Sequence, residues 1–172
     1  KINMKKIMFF LVSIFTSITL SSQNQIGQDI IGVASQDTFG RSVSLSSDGN
    51  IMAIGADGND QNGSRSGQTR IFILNGSNWE QLGESINGEF PNDISGWSVS
   101  LSSDGTTVAI GAQFNDINGS NSGNTRIYKL NGTDWVQLGT TIYGDFPNDT
   151  SGWSVSRNSD GTTVAIGAIG ND

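Results

Sequence analysis

The chain has 172 residues, a formal net charge of −7 at pH 7, and no histidine or cysteine. Without these two residue types, the sequence excludes disulfide cross-links and the Ser-His and Cys-His pairs of nucleophilic catalysis. The acidic balance excludes nucleic acid and anionic lipid surfaces as partners, because both require a basic face.

Residues 1–22 are predicted to be a secretory signal peptide. Three lysines precede the apolar run 7–20 and two serines follow it, which is the layout of such a signal. The run is shorter than the roughly 20 apolar residues of a transmembrane helix; an uncleaved N-terminal anchor is the alternative. Removal of the signal leaves six basic against 16 acidic residues, a net charge of −10. Residues 23–172 are therefore expected to be secreted or displayed at the cell surface, with no membrane insertion after cleavage.

The rest of the chain repeats itself every 56 residues. SGWSVSLSSDGTTVAIGA (95–112) returns as SGWSVSRNSDGTTVAIGA (151–168), and FGRSVSLSSDGNIMAIGA (39–56) is an earlier copy. A period of about 40–50 residues in β-rich sequence is typical of propeller blades. The repeat units are predicted at 40–95, 96–151 and, truncated, 152–172.

Four strands are predicted in each unit. SVSLS (42–46) alternates small polar and apolar residues, the period-2 pattern of a strand, and an Asp-Gly turn leads to NIMAIGA (50–56). A polar loop then precedes TRIFIL (69–74), and an Asn-Gly turn precedes WEQLG (79–83). The turn-rich segment that follows is expected to cross to the next unit.

Residues 25–39 are predicted to supply an outer strand that closes a ring. QIGQDIIG (25–32) aligns with QLGESING (81–88), which is a fourth strand and its exit. In a closed propeller such a strand completes the last blade and removes exposed sheet edges. About two and two-thirds blades do not close a ring, since propellers have about four to eight. The chain is therefore expected to be a fragment, an incomplete ring whose remaining blades lie beyond residue 172.

The sequence resembles the FG-GAP repeat of integrin α-subunit propeller heads and of bacterial secreted proteins. Phe39-Gly40 and Gly55-Ala56 carry the resemblance, within the pattern FG-x-SVSLSSDG-x-x-x-AIGA…ND…SG-x-x-RIF. Trp97 and Trp153 depart from it, because each follows a Ser-Gly pair where the pattern has Phe-Gly. The resemblance covers nearly all of residues 25–172 and implies an all-β fold of four-stranded antiparallel propeller blades. A WD40 propeller is the nearest alternative, but its Gly-His and Trp-Asp signature is absent from the sequence.

The resemblance also implies calcium, which some blades of integrin-type propellers bind in Asp-rich loops. The SSDG turn is too short to surround an ion that takes six to eight oxygens, so the loop after the second strand is the better candidate. Turn hydrogen bonds of Asn and Asp side chains are the alternative. The candidate Ca²⁺ ligands are Asp57, Asn59, Asp60 and Asn62 in the first copy and Asn115, Asp116 and Asn118 in the second.

The aromatic motifs are predicted to be structural. In FPND (90–93 and 146–149) the phenylalanine is expected to pack between blades while Pro-Asn-Asp turns the chain; contact with a ligand such as a sugar is the alternative. The four tryptophans are expected to seal blade interfaces, with a carbohydrate platform as the alternative. They are Trp79, Trp97, Trp135 and Trp153.

The expected function is binding or adhesion, with an extracellular protein or glycan as the partner and the loops as the contact surface. Asp48, Asp104 and Asp160 recur at equivalent turns, which indicates a structural rule rather than a pair of catalytic carboxylates. No enzyme is therefore predicted. Two alternatives stay open: an accessory propeller of a larger exported enzyme, and a purely structural repeat array.

Overall fold

The structure is a computed structural model that describes residues 24–171. All regular secondary structure in this range is β-strand, and the sheets are antiparallel. The predicted signal peptide, residues 1–22, lies outside the described residues. The strands are β1 (Ser42–Leu45), β2 (Ile51–Ala56), β3 (Gln68–Asn75), β4 (Asn78–Gln81), β5 (Ile86–Asn87), β6 (Ser98–Leu101), β7 (Thr107–Ala112), β8 (Asn124–Asn131), β9 (Asp134–Gln137), β10 (Ile142–Tyr143), β11 (Ser151–Arg157) and β12 (Val164–Ala168).

Each of the first two repeats folds into one meandering sheet, as expected for a propeller blade. The first blade has the order β1-β2-β3-β4, and β5 also pairs with β3. The second blade repeats this arrangement with β6 to β10, and β11 and β12 form a hairpin. The predicted all-β fold is confirmed for a partial propeller of two complete blades and one inner hairpin in residues 24–171.

The predicted fourth strand differs from the expectation, because it consists of two short pieces. β4 pairs with the end of β3, and β5 pairs with its beginning, where Ile86 lies opposite Thr69. Between them, the Leu82 N–H donates to the Ile71 carbonyl at 2.8 Å. From Leu82 to Ile86 the chain advances four positions while β3 advances only two, from Ile71 to Thr69, so the extra residues bulge out and interrupt the strand.

The SSDG turn between the two inner strands is held by its aspartate. In the first blade, Asp48 Oδ1 accepts hydrogen bonds from Ser46 Oγ (2.6 Å) and Asn50 N (3.0 Å). Gly49 follows in the left-handed region at φ 72°, which glycine adopts without steric cost. The bonds from Ser46 and Asn50 lower the pKa of Asp48 below its usual value. These local interactions explain why the Asp-Gly pair recurs at this turn in all three copies of the repeat.

Serines join the inner strands of neighbouring blades. Ser42 Oγ donates to the Gly96 carbonyl (2.8 Å), and Ser44 Oγ accepts from the Leu101 N–H (2.9 Å). The alternating serines of SVSLS therefore face the next blade. One unit later the same two bonds recur, from Ser98 to Gly152 (2.8 Å) and from Arg157 N to Ser100 (3.0 Å).

The main hydrophobic core lies between the two blades rather than within either one. In β6, the apolar residues Val99 and Leu101 alternate with serines; their side chains face the first blade and are buried. Small and branched residues of both blades pack against them, and the first blade supplies three of the eight buried members of the core while the second supplies five. The buried members are Ala53, Ile71, Ile86, Val99, Leu101, Val108, Ile110 and Tyr128.

Residues 25–39 occupy the place of an outer strand, although they form no regular strand in the structure. Gln28 Nε2 donates to the Trp79 carbonyl (3.1 Å), and Trp79 Nε1 donates to the Ile26 carbonyl (3.2 Å). The predicted strand does not form, because these bonds involve the side chains of Gln28 and Trp79 and no strand within residues 24–171 pairs with this segment. Residues 24–171 also contain no helix long and apolar enough to span a membrane.

Candidate functional site

The loops predicted to carry function lie together at one end of the sheets, in what we call the loop face (residues 57–67, 88–97, 113–123 and 144–150). Each crossover between blades is tied to the preceding loop by backbone bonds. Asn92 N donates to Ser64 O (2.8 Å) and Ser95 N donates to Ser66 O (3.0 Å). The second loop repeats both bonds, from Asn148 to Ser120 (2.8 Å) and from Ser151 to Ser122 (2.9 Å).

Two of the predicted calcium ligands contact the same arginine in the first loop. Asp57 is buried, lies 3.6 Å from Arg65 Nη2, and accepts a hydrogen bond from the Thr38 hydroxyl. Asp60 Oδ1 accepts from the Arg65 N–H at 2.7 Å. Arg65 has φ 50°, a conformation uncommon for a non-glycine residue. The two carboxylates therefore help to hold the loop in this conformation.

The second loop keeps only one of these carboxylates. Asp116 Oδ1 accepts from the Asn121 N–H at 2.7 Å, and Asn121 has φ 53°. Gln113 takes the place of Asp57 and is buried, with its Oε1 atom unpaired. The two loops thus share their backbone conformation but differ in charge.

The asparagines predicted as ligands use their amide groups to fasten the crossovers. Asn59 Nδ2 donates to Asp37 (3.1 Å) and Asn62 Nδ2 donates to the Gly88 carbonyl (2.8 Å). Asn115 and Asn118 repeat these bonds to Asp93 (3.1 Å) and Gly144 (3.1 Å). The structure brings all seven predicted ligands to the loop face. Within residues 24–171, no group of three or more acidic side chains has the arrangement of a metal site.

A buried carboxylate, the last residue of FPND in two of the copies, organises each crossover. Asp93 Oδ2 accepts from Phe90 N (3.1 Å) and from Asn115 Nδ2 (3.1 Å). Burial raises the pKa of Asp93. The sequence signal was present, since Asp37, Asp93 and Asp149 recur at the 56-residue period; only the fold shows that they are buried.

The prediction that the FPND phenylalanine packs between blades is wrong. Phe90 is 48 % exposed and Phe146 is 67 % exposed. The proline packs against the preceding loop of its own repeat unit: a Cβ built on Gly63 would lie 2.6 Å from Pro91 Cγ. The aspartate binds the phenylalanine N–H and closes the turn over this glycine, so the ring stays outside.

The prediction that the tryptophans seal blade interfaces is confirmed for Trp97, Trp135 and Trp153, whereas Trp79 donates to the Ile26 carbonyl in a segment that forms no strand. Trp135 Nε1 donates across the interface to the Leu82 carbonyl at 2.8 Å. The Trp97 and Trp153 rings lie 5.3 Å apart between their centroids, and the Arg41 guanidinium lies 3.5 Å from the Trp97 ring. Each of these three rings thus contacts the neighbouring blade.

Comparison with known families agrees with this geometry. The model of the FG-GAP repeat matches residues 32–72 and 90–128, which include β1, β2, β6 and β7 and the loops 57–67 and 113–123. The chain carries FG-GAP repeats. No curated protein matches the sequence.

Among solved structures, the FG-GAP repeats are similar to the Pseudomonas aeruginosa periplasmic gluconolactonase PpgL. The TM-score is 0.53 at 12 % sequence identity, over 76 % of this chain and 37 % of that one. At this identity the likeness shows the fold alone. The chain spans little more than a third of the length of that structure.

Proposed function

We propose that the FG-GAP repeats form a binding or adhesion module, secreted or at the cell surface, that takes an extracellular protein or glycan on the loop face. The observation that carries the proposal is a set of exposed apolar side chains on rigid loops. Such side chains cost free energy in water and are typical of interaction sites. They are Phe90, Phe114, Ile117 and Phe146.

Loop rigidity supports this proposal. Backbone hydrogen bonds hold each crossover to the preceding loop, and a buried hydrogen bond from Asn115 Nδ2 to Asp93 Oδ2 joins the first crossover to the loop of the second blade. A surface that is ordered before binding loses less conformational entropy when the partner arrives. The same loops carry acidic residues, so a neutral or basic partner surface is favoured over an acidic one.

The test is binding of the purified chain to a glycan array and to a panel of extracellular matrix proteins. A Phe90→Ser/Phe146→Ser variant removes two exposed rings of the loop face. Val136→Ser is the matched control, because Val136 is an exposed apolar side chain on β9, outside the loop face. We expect at least a tenfold loss of affinity for the first variant and none for the control. Absence of binding across both panels, or equal losses, would contradict the proposal.

Catalysis is not part of the proposal. The chain has no histidine or cysteine, and the Asp48 and Asp104 carboxylates accept turn hydrogen bonds from their own serines. PpgL is a gluconolactonase, so hydrolysis of glucono-δ-lactone is the appropriate activity assay. We expect no rate above the uncatalysed background, and a protein-dependent rate would overturn this part of the proposal.

Calcium at the first two loops stays a prediction. A bound ion would compete with Arg65 for the Asp57 and Asp60 oxygens, and Asp116 and the asparagine oxygens of both loops are the other candidates. Thermal unfolding with Ca²⁺ and then with a chelator tests it, because a ligand at 100 times its Kd stabilises the fold by about 2.7 kcal/mol. A shift in Tm below about 1 °C would contradict a bound calcium ion.

A further inference from the structure

A groove of about 430 Å³ lies between the two blades and borders the loop face at Asn62, Gly88 and Glu89. One wall is β5 with the residues that flank it, and the other is formed by β8 and β9. The volume falls within the range of about 300–1,000 Å³ that is usual for small-molecule sites.

The floor of the groove holds a buried, fixed cation. Arg126 is 4 % exposed. Its Nη2 donates to the Asn87 carbonyl (2.9 Å) and to Ser95 Oγ (3.3 Å), and its Nη1 lies 3.7 Å from Glu89 Oε1. Tyr128 is buried beside it, with the guanidinium carbon 5.6 Å from the ring centroid. A buried charge held by several partners presents its donors in a defined geometry.

An aromatic ring and polar groups complete the groove. The Trp135 ring lines it, half-buried, and its bond to the Leu82 carbonyl fixes the ring orientation. Glu84 and Asp134 are exposed at the rim, next to the Ser85 hydroxyl. With Arg126 and Glu89, the groove carries three carboxylates and one guanidinium.

The equivalent place one repeat earlier shows which of these residues blade packing requires. There, Trp79 Nε1 donates to the Ile26 carbonyl (3.2 Å) and Arg70 Nη1 donates to the Ile31 carbonyl (3.4 Å). These two bonds match those of Trp135 and Arg126, so the tryptophan and the arginine belong to the packing of both complete blades in residues 24–171.

Six other lining positions break the symmetry of the repeat. Five of them gain a polar or charged group in the second groove, and the sixth has Ser85 where the first repeat has Asp29. Blade packing does not need the gained groups, because the first repeat packs without them. The pairs are Gln28 and Glu84, Asp29 and Ser85, Ile31 and Asn87, Val33 and Glu89, Phe72 and Tyr128, and Asn78 and Asp134.

We propose that this groove binds a neutral saccharide of one or two sugar units. The Trp135 ring offers an apolar platform for the C–H face of a sugar, while the carboxylates accept and the guanidinium donates hydrogen bonds to hydroxyl groups. The excess of two negative charges disfavours uronic acids and other anionic sugars. The groove shares a border with the loop face but contains none of the four exposed apolar side chains that carry the loop-face proposal, so either proposal can fail without the other.

The indole N–H groups give the direct test, since the chain has four tryptophans. A ¹⁵N-labelled chain is titrated with glucose, galactose, N-acetylglucosamine and cellobiose up to about 20 mM, which detects a Kd on the order of 1 mM. We expect the Trp135 indole signal to shift with at least one of these sugars, and the Trp79 signal to stay in place. No shift at Trp135, or equal shifts at both rings, would overturn the proposal.

A double variant that replaces two groove residues by their first-repeat equivalents, Phe72 and Asn78, separates an effect on binding from an effect on folding. Tyr128→Phe/Asp134→Asn removes one hydroxyl and one charge, and the chain already tolerates both residues at the equivalent places. We expect the apparent Kd to rise at least tenfold with an unchanged unfolding curve; an unchanged Kd would contradict the proposal. Phe146→Ser, a loop-face variant, should keep the saccharide shifts. Glucuronic acid should bind more weakly than glucose, and tighter binding would contradict the neutral class.

Discussion

The first two blades have nearly identical inner strands, yet only the second has its apolar face covered. Val43 and Leu45 are 55 % and 53 % exposed, whereas Val99 and Leu101 are 8 % and 7 % exposed. The covering surface of the second pair belongs to the first blade, whose serines and small residues pack against it. Burial is therefore a property of a pair of adjacent blades. Stability in such arrays follows nearest-neighbour interfaces rather than individual repeats.

The largest expected effect comes from truncating the same leucine in each blade. Leu101→Ala deletes a core side chain and leaves a cavity between the blades, which costs about 2–5 kcal/mol. Leu45→Ala removes an exposed side chain and should change the free energy of unfolding by about 0.5 kcal/mol or less. Denaturant unfolding of the two variants measures the difference. Equal losses would mean that the inter-blade core does not govern stability.

The second-largest expected effect on the free energy of unfolding comes from two equivalent glycines, Gly111 and Gly167. A Cβ at Gly111 would collide with the Gly152 carbonyl oxygen of the neighbouring inner strand. At Gly167, the nearest backbone atom is 3.7 Å away, and both positions share the close contact with a strand-partner serine. Overpacking should cost Gly111→Ala about 1–3 kcal/mol, and Gly167→Ala much less. Melting curves followed by circular dichroism test this, and a Gly167→Ala loss as large as that of Gly111→Ala would contradict it.

The serine bonds predict a smaller difference. Ser98→Ala removes the hydrogen bond to the Gly152 carbonyl (2.8 Å) and leaves that carbonyl without its partner, at a cost of about 1 kcal/mol. Ser154, one repeat later, is exposed and makes no side-chain hydrogen bond in residues 24–171. Ser154→Ala should leave the free energy of unfolding unchanged. If both variants lose the same amount, the effect comes from strand propensity and not from the inter-blade bond.

The smallest effect compares a buried carboxylate of the crossover, Asp93, with an exposed carboxylate of the second blade, Asp104. Burial raises the pKa of Asp93, so its charged form is disfavoured in the folded state, and its contribution to stability improves as the pH falls through that pKa. Hydrogen bonds from Ser102 and Thr106 lower the pKa of Asp104, whose contribution is present above the unfolded value and lost as the pH falls.

Asp93→Asn should therefore be neutral or stabilising by less than about 1 kcal/mol at pH 7, and its advantage should vanish toward pH 4. Asp104→Asn should destabilise at pH 7 and lose its effect at low pH. Unfolding curves at pH 4, 5.5 and 7 measure both trends. Parallel pH profiles for the two variants would contradict the assignment.

Sequence reasoning succeeded where the signal is local and failed where distant segments compete for the same space. The inner strand expected at 42–46 forms at Ser42–Leu45, since alternation and the SSDG turn lie within a few residues of each other. The position of the FPND phenylalanine was predicted wrongly, because Pro91 and not Phe90 packs on the glycine of the preceding loop. That glycine, Gly63, lies 28 residues before Pro91, so no local pattern reports the contact. The outer strand broke in two because its bulge is fixed only by pairing with β3.

The sequence by itself determined the blade: its 56-residue period, its hairpins, and the family of its repeats. Those features rest on turn chemistry and side-chain alternation, which act within one segment of chain. Only the tertiary structure decided which face of a blade is buried, that the serines bind the next inner strand, and that Glu84, Glu89, Arg126 and Asp134 meet in one groove. These arrangements join residues of different blades, and their partners are set by how two sheets pack rather than by any single run of letters.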